Sequence, residues 1–309
     1  MKKTAIIIPC YNEEITITNV INDCKKYLPQ AEIYVCDNNS TDKTGEIAKS
    51  LNVTVKHEKR QGKGNALRKM FREVDADCYV IVDGDSTYPL NNIEQMCSLV
   101  LNKNVDMVIA DRLSTTYFKQ NKRLFHNIGN KFVCFLINKL FHNNIKDIMS
   151  GYRAMSKLFI KSYPVLSEGF EIETEMTLHA LDKKFLIEEV PVDYKNRPDG
   201  SVSKLNTFSD GILVLKTMFT LFKDYKPFFF FSVISLFLII VAFILFVPIL
   251  MEFMETGLVP RFPTLIISGV LATMSLLTIS CGIILQTIVR KHNELYEITL
   301  NQIQNTINL

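Results

Sequence analysis

With 309 residues, the chain is long enough for one sizeable domain and something more. Its 35 basic and 32 acidic residues leave a net charge of +3, too near balance for a protein that grips nucleic acid wholesale. Hydrophobic residues reach 48% and crowd into the part after Lys226, which excludes a uniformly soluble chain and implies a soluble part joined to a membrane part. The seven cysteines are odd in number and mostly lie in apolar runs. None form a C-x-x-C pair, so they read as reduced, buried thiols of a cytosolic setting. The five histidines have no metal-ligand spacing. The basic start and short apolar run of MKKTAIIIPCYNEE are interrupted by Glu13 and Glu14, so this segment reads as a first strand, not a signal peptide.

In chain order, Thr4 to Pro9 is predicted as a strand, followed by Tyr11-Asn12-Glu13-Glu14 and a helix to about Leu28, stopped by Pro29. Ala31 to Cys36 is a second strand, closing on Asp37-Asn38-Asn39-Ser40-Thr41-Asp42. Ser40 or Thr41 is positioned to cap a helix to about Leu51. Val53 to His57 is a third strand, and Gln61-Gly62-Lys63-Gly64-Asn65 opens a helix to about Val74. Cys78 to Val82 is an uninterrupted apolar run, the pattern of a strand buried on both faces. It ends at Asp83-Gly84-Asp85. A helix over about Asn91 to Leu101 and a strand over Val105 to Ala110 follow. Strands alternating with helices predict an α/β fold, a mostly parallel Rossmann-like sheet with helices on both faces.

Asp37, Lys63, Asp83, Asp85 and Arg112 all fall just after predicted strands or at helix starts. Such positions converge on the carboxyl edge of a doubly wound sheet, where ligands bind. Two carboxylates one residue apart suit a hard divalent cation that also grips a diphosphate, with Gly84 giving a tight turn between them. A plain polar turn is the competing reading. Asp37 can accept from a nucleoside or stabilise a turn. Lys63 between two glycines resembles a phosphate-approach loop at a helix N-terminus, though a solvated loop lysine fits as well. It lacks the length and the Ser/Thr of a P-loop, so ATP hydrolysis is not implied.

The ordered set IPCYNEE, DNNSTD, QGKGNAL and VDGDSTYP resembles the GT-A glycosyltransferases of family 2. Tyr88-Pro89 after the acids is especially similar to the polyprenyl-phosphate and dolichyl-phosphate sugar transferases. The likeness continues through Asp147-Ile148-Met149-Ser150-Gly151-Tyr152-Arg153 and Arg197 to Leu205, covering about two thirds of the chain. Asn38 departs from the family, which often has a second acid there. The resemblance implies that Pro9, Tyr11, Glu13 and Asp37 hold the nucleoside, with Lys63 and Gly84 beside the nucleotide-sugar. It implies that Asp83 and Asp85 hold Mg²⁺ or Mn²⁺, and that Arg112, Arg123 and Arg197 meet phosphates with Ser150, Ser203 and Lys204 nearby. Asp85, Asp147, Arg123 and Arg197 are the residues expected to carry catalysis. A phosphate monoester has a second pKa near ~6, so an acceptor of this class needs little help from a general base. The site's work is then positioning and charge stabilisation. Asp147 orients acceptor or sugar, or is a strand-end turn acid. Glu171, Glu173 and Glu175 open a helix, where acids favour the first turn, and one of them could line the sugar pocket.

Ile187 to Tyr194 reads as an edge strand broken by Pro191. Residues 1–205 are expected to be the catalytic domain, and 206–226 an amphipathic helix at the membrane surface, ahead of two spans within 227–289 and a tail over 290–309. The spans, Phe228 to Met251 and Phe262 to Val289, carry no charged residue. Each exceeds the roughly 20 residues a helix needs to cross a bilayer. Lys223, Lys226, Arg290 and Lys291 flank the hairpin on one side, whereas its link holds Glu252, Glu255 and one basic residue, Arg261. This bias places the catalytic domain and the tail on the cytoplasmic side of the cell membrane. The tail could pack on the catalytic domain or pair two subunits. The expected partners are a nucleotide-sugar, a polyprenyl phosphate and the bilayer, with no nucleic acid. The rival readings are a processive polysaccharide synthase, whose acceptor-site motif contains Trp whereas this chain has none, and a non-catalytic scaffold.

Overall fold

The computed structural model describes residues 2–115, 134–198, 219 and 222–308. Its central sheet has seven strands: β1 Thr4–Cys10, β2 Glu32–Asp37, β3 Thr54–His57, β4 Cys78–Ile81, β5 Met107–Asp111, β6 Arg153–Ser156 and β7 Ile187–Pro191. They lie in the order β3-β2-β1-β4-β6-β5-β7. β1 pairs in parallel with β2 on one side and β4 on the other, with Cys10 opposite Asp37 and Ile7 opposite Ile81. The chain winds outward from β1 to β3 and crosses back to β4, so the switch of direction falls at the carboxyl ends of β1 and β4. That crevice is where open α/β sheets take ligands.

One strand differs from the sequence expectation. Arg153–Ser156 was read only as part of a motif. It forms β6, inserted between β4 and β5 and antiparallel to both. Four residues beginning with Arg show neither alternation nor an apolar run, so only its neighbours define it as a strand. By contrast, β4 is buried along its whole length, as its sequence predicts, and β7 takes the edge, where Pro191 ends the strand.

The helices packed on this sheet are α1 Ile17–Tyr27, α2 Thr44–Ser50, α3 Lys63–Glu73, α4 Ile93–Lys103, α5 Lys157–Ser162 and α6 Ile172–Asp182. α1 shows why these segments fold as they do. Ile17, Val20, Ile21 and Cys24 form one buried stripe at helical spacing, and Lys25 and Lys26 sit in the last turn, where the helix dipole favours cations. The core under α1 and α4 is made of Ile6, Ile8, Val35, Val80, Val108 and their neighbours. The expected capping of α2 by Ser40 or Thr41 does not occur, for its N-cap is Lys43. The Ser40 hydroxyl instead accepts from Asn12 N at 3.0 Å, and Thr41 N donates to Asn12 Oδ1 at 2.8 Å, tying the loops after β1 and β2 together.

The chain divides into two units, residues 1–215 with 300–309, and residues 216–299. In the second, α7 Pro227–Thr256 and α8 Phe262–Asn308 are both long and apolar enough to cross a membrane, with mean hydropathy of 3.2 and 2.0. Most of their apolar side chains are exposed, unlike those of a core helix. Ser235 Oγ donates to Ser275 O, and Ser275 Oγ to Ser235 O, each at 2.9 Å. Gly282 packs against Phe228 and Phe231. Small residues at such a contact let helix backbones approach in lipid. α8 continues unbroken through the predicted tail, helped by Lys291 on Glu294 at 2.7 Å. The predicted helix over 206–226 lies mostly outside the described residues.

Candidate active site

Three loops meet at the switch crevice. Glu13, after β1, is 8% exposed, and its backbone N donates to Thr44 Oγ1 at 2.8 Å. Thr16 Oγ1 lies 2.7 Å from Gly84 O and 3.0 Å from Glu13 Oε2, joining the first loop to the Asp-Gly-Asp turn. Pro9 and Tyr11 are half-buried beside it. Asp37, at the end of β2, accepts from Ser40 N at 3.0 Å and pairs with His57 Nδ1 at 3.0 Å. It therefore stabilises its own turn and ties it to the end of β3. Asn38 braces the third loop. Its amide donates to Glu58 O and Arg60 O, and its Oδ1 accepts from Gly62 N at 2.6 Å. An acid could not make those donations, which accounts for amide rather than carboxylate at this position.

The Asp-Gly-Asp turn differs in one detail from its sequence reading. The left-handed residue is Ser86, at φ 60°, not Gly84. Gly84 is required by close approach instead, since a Cβ there would lie 2.7 Å from Cys10 Sγ. Asp85 Oδ1 accepts from Thr87 Oγ1 at 2.7 Å, and its Oδ2 meets Arg197 Nη2 at 2.6 Å.

Lys63 is not presented on an open phosphate-approach loop. It is the first residue of α3, 9% exposed, and its ammonium lies 2.5 Å from both Asp83 Oδ1 and Glu173 Oε1. Burial opposes its charge, but Asp83 and Glu173 together outweigh that penalty and raise its pKa. The glycines beside it also serve a different end. Gly64 N donates to Glu168 O at 2.8 Å, and a Cβ on Gly64 would collide with the Ser167 and Glu168 backbone. The start of α3 is thus covered by the loop before α6.

Arg112, just past β5, donates from Nε to Asp147 Oδ2 at 2.8 Å, and its Nη1 lies 3.4 Å from Tyr88 Oη. Asp147 is fully buried, and its other oxygen accepts from Met149 N. Of the two readings of Asp147, an acid that orients acceptor or sugar and a strand-end turn acid, the burial favours the second, with the carboxylate taken up by Arg112 and Met149 N. Ser150, expected near the acceptor phosphate, is also fully buried, 3.4 Å from Tyr88 Oη, with its carbonyl taken by Arg153 Nε. Tyr88 is the hub of this region. Its hydroxyl accepts from Gly151 N at 3.3 Å, its ring meets Tyr152 and Tyr194 edge-on, and burial raises the pKa of its phenol. Arg123, Ser203 and Lys204 lie outside the described residues.

Sequence reasoning missed the Lys63–Glu173 pairing and the role of Arg153. Arg153 is wholly buried, with Nη1 on Thr177 Oγ1 at 2.8 Å and Nη2 on Ile148 O at 2.6 Å. Burial lowers its pKa, and it clamps the backbone of the 148–150 loop. The signal that could have found it is a lone arginine set in the run Gly151-Tyr152-Arg153-Ala154-Met155. Among the described residues, no three His, Cys, Asp or Glu side chains cluster as a metal cage. Asp83 and Asp85 offer an all-oxygen pair, which fits a cation whose remaining ligands are diphosphate oxygens and water.

Residues 5–163 match the sequence model of glycosyl transferase family 2. The chain is 32% identical over 228 residues to the glycosyltransferase AglJ of Haloferax volcanii, covering 74% of each chain. It is 26% identical over 214 residues to a dolichyl-phosphate hexose transferase of the same organism, covering 69% of this chain and 91% of that one. Among solved structures, it is similar to glucosyl-3-phosphoglycerate synthase from Mycobacterium tuberculosis in complex with Mn²⁺, UDP and phosphoglyceric acid. The TM-score is 0.57, with 19% identity over 72% of this chain and 78% of that one, a likeness of fold.

Proposed function

Since the chain belongs to glycosyl transferase family 2 and is a glycosyltransferase of GT-A fold, we propose that it transfers one sugar from a nucleotide-sugar to a polyprenyl phosphate at the cytoplasmic membrane face. The single observation that carries this reading is the Arg197–Asp85 pair. It brings a phosphate-type cation from the segment ahead of the membrane helices onto the carboxylate turn at the donor crevice. A transferase that joins a sugar diphosphate to a lipid phosphate needs those two charges at one point. The dolichyl-phosphate acceptor of a relative supports the acceptor class. The two apolar helices support a lipid substrate.

Asp83 and Asp85 would hold Mg²⁺ or Mn²⁺, and a structural neighbour is solved with Mn²⁺ and UDP. When bound, the metal would neutralise the donor diphosphate and ease departure of the nucleoside diphosphate. The chain's own residues do the rest. Pro9, Tyr11, Glu13 and Asp37 border the nucleoside. Arg197, with the bidentate fork that suits phosphate oxygens, offsets repulsion between acceptor and donor. Arg112, aimed by Asp147, adds positive charge beside Tyr88. The acceptor phosphate oxygen attacks the anomeric carbon opposite the departing diphosphate, so the transfer inverts configuration. No general base is required, because that oxygen is already ionised at neutral pH. The test is to offer the membrane-embedded protein a panel of radiolabelled UDP- and GDP-sugars with polyprenyl phosphate and extract the lipid. A single labelled lipid-phosphate sugar supports the reading, whereas a labelled polymer or no labelled lipid overturns it.

A further inference from the structure

Glu173 is 5% exposed in the first turn of α6, and sugar transfer does not by itself call for it. Its Oε1 shares the Lys63 ammonium with Asp83 Oδ1, both at 2.5 Å. Its Oε2 is buried with no hydrogen-bond partner among the described residues. The helix dipole favours an acid in a first turn, but it does not account for burying one with a bare oxygen, which is costly. The charge of the wholly buried Arg153 also acts on Glu173, without a hydrogen bond to it. Its guanidinium bonds instead to Thr177 Oγ1, Ser150 O and Ile148 O. Gly151 makes room for the cluster, for a Cβ there would lie 2.8 Å from both Asp83 Oδ1 and Lys63 Nζ.

We propose that Glu173 is a positioning residue for the donor cation. It draws the Lys63 ammonium away from full pairing with Asp83, so that Asp83 keeps charge for a divalent metal and its diphosphate. This rests on the reading above, in which Asp83 and Asp85 face that metal. Of the two carboxylates that share the ammonium, Asp83 has the more exposed side chain, at 24% against 6% for that of Glu173, so the charge that Lys63 does not take from Asp83 is available to a cation on the crevice side. Without Glu173, Lys63 and Asp83 would form a closed neutral pair, and the lysine would compete directly with the metal.

The test uses the full-length protein in detergent, with Mn²⁺ and UDP as probes, GDP as the second nucleotide, and calorimetry as the readout. Glu173→Gln keeps the shape but removes the charge. It is expected to weaken Mn²⁺-dependent nucleotide binding about tenfold, the weight of one charge-assisted hydrogen bond, while its thermal melt and its Mn²⁺-independent nucleotide binding stay as in the wild type. In a Lys63→Met background the same Glu173→Gln change is expected to have no further effect, because the residue acts through the lysine. The Lys63→Met/Glu173→Gln pair removes one positive and one negative charge together, which keeps the comparison open if Lys63→Met alone folds poorly. In that event, the double variant is expected to bind Mn²⁺ and nucleotide better than Glu173→Gln does. Unchanged Mn²⁺-dependent binding in Glu173→Gln, an equal loss with and without Lys63, or a double variant no better than Glu173→Gln, each overturns the inference while leaving the transferase reading intact. A wild-type chain that binds neither UDP nor GDP with Mn²⁺ overturns both.

Discussion

Arg197 Nη2 lies 2.6 Å from Asp85 Oδ2, so the arginine proposed to take the acceptor phosphate is held by a carboxylate proposed to take the metal. A divalent cation on that carboxylate would compete with the guanidinium by charge repulsion, which favours turning Arg197 toward the acceptor phosphate. A lysine would keep the charge but lose the two-pronged grip. Arg197→Lys is expected to raise the KM for polyprenyl phosphate about tenfold or more and leave the donor KM within about twofold. Steady-state kinetics with each substrate varied in turn measure both. A loss confined to the donor, or none, sinks the acceptor assignment.

Asp85 carries the other half of that relationship. Its Oδ1 also stabilises the turn through Thr87, so replacement removes a metal ligand and one local hydrogen bond. Asp85→Ala is expected to lower transfer by at least about a hundredfold, as losing a preorganised charge partner does in other enzymes, while circular-dichroism melting stays close to that of the wild type. Near-normal transfer in the presence of Mg²⁺ removes its metal role.

Asp147 and Arg112 make a different case, because both sides are buried, 0% and 11% exposed. Asp147→Ala leaves a buried guanidinium without its carboxylate. The expected cost is about 3–5 kcal/mol, a fall in melting temperature on the order of 10 °C for a unit of this size. Asp147→Asn, which can still accept from Arg112 Nε, is expected to lose less. If the Ala variant melts as the wild type does, the pair is not a structural support for the 147–153 loop.

The membrane hairpin yields a prediction about sidedness. Lys223, Lys226, Arg290 and Lys291 flank α7 and the apolar part of α8, whereas the turn end of the hairpin carries Glu252 and Glu255 in the last turns of α7 and one basic residue, Arg261. A cysteine at Leu258 is expected to react with a membrane-impermeant maleimide in intact cells, whereas one at Asn305 reacts only after permeabilisation. The reverse pattern would place the catalytic unit outside.

What was legible in the sequence is what depends on local runs. Residues 78–82 announce a buried strand because five apolar or aromatic side chains in succession have few other uses, and the Asp83-Gly84-Asp85 turn that follows is placed by the strand itself. The two apolar helices are equally plain, since length without charge is a property of the chain alone. The order of motifs was enough to recognise the family. Only the tertiary structure decided which charges meet. Lys63 and Glu173 are 110 residues apart, Arg112 and Asp147 are 35 apart, and nothing in either local segment selects the other. The second pairing follows from β6 entering antiparallel between β4 and β5, which carries the 147–151 loop back across the carboxyl edge and sets Gly151 against Asp83. A residue's propensity is encoded locally, but the partner that satisfies a buried charge is set by how distant strands line up. For that reason the sequence left Asp147 open between an acid that orients a substrate and a turn acid, and only the fold shows it buried on Arg112.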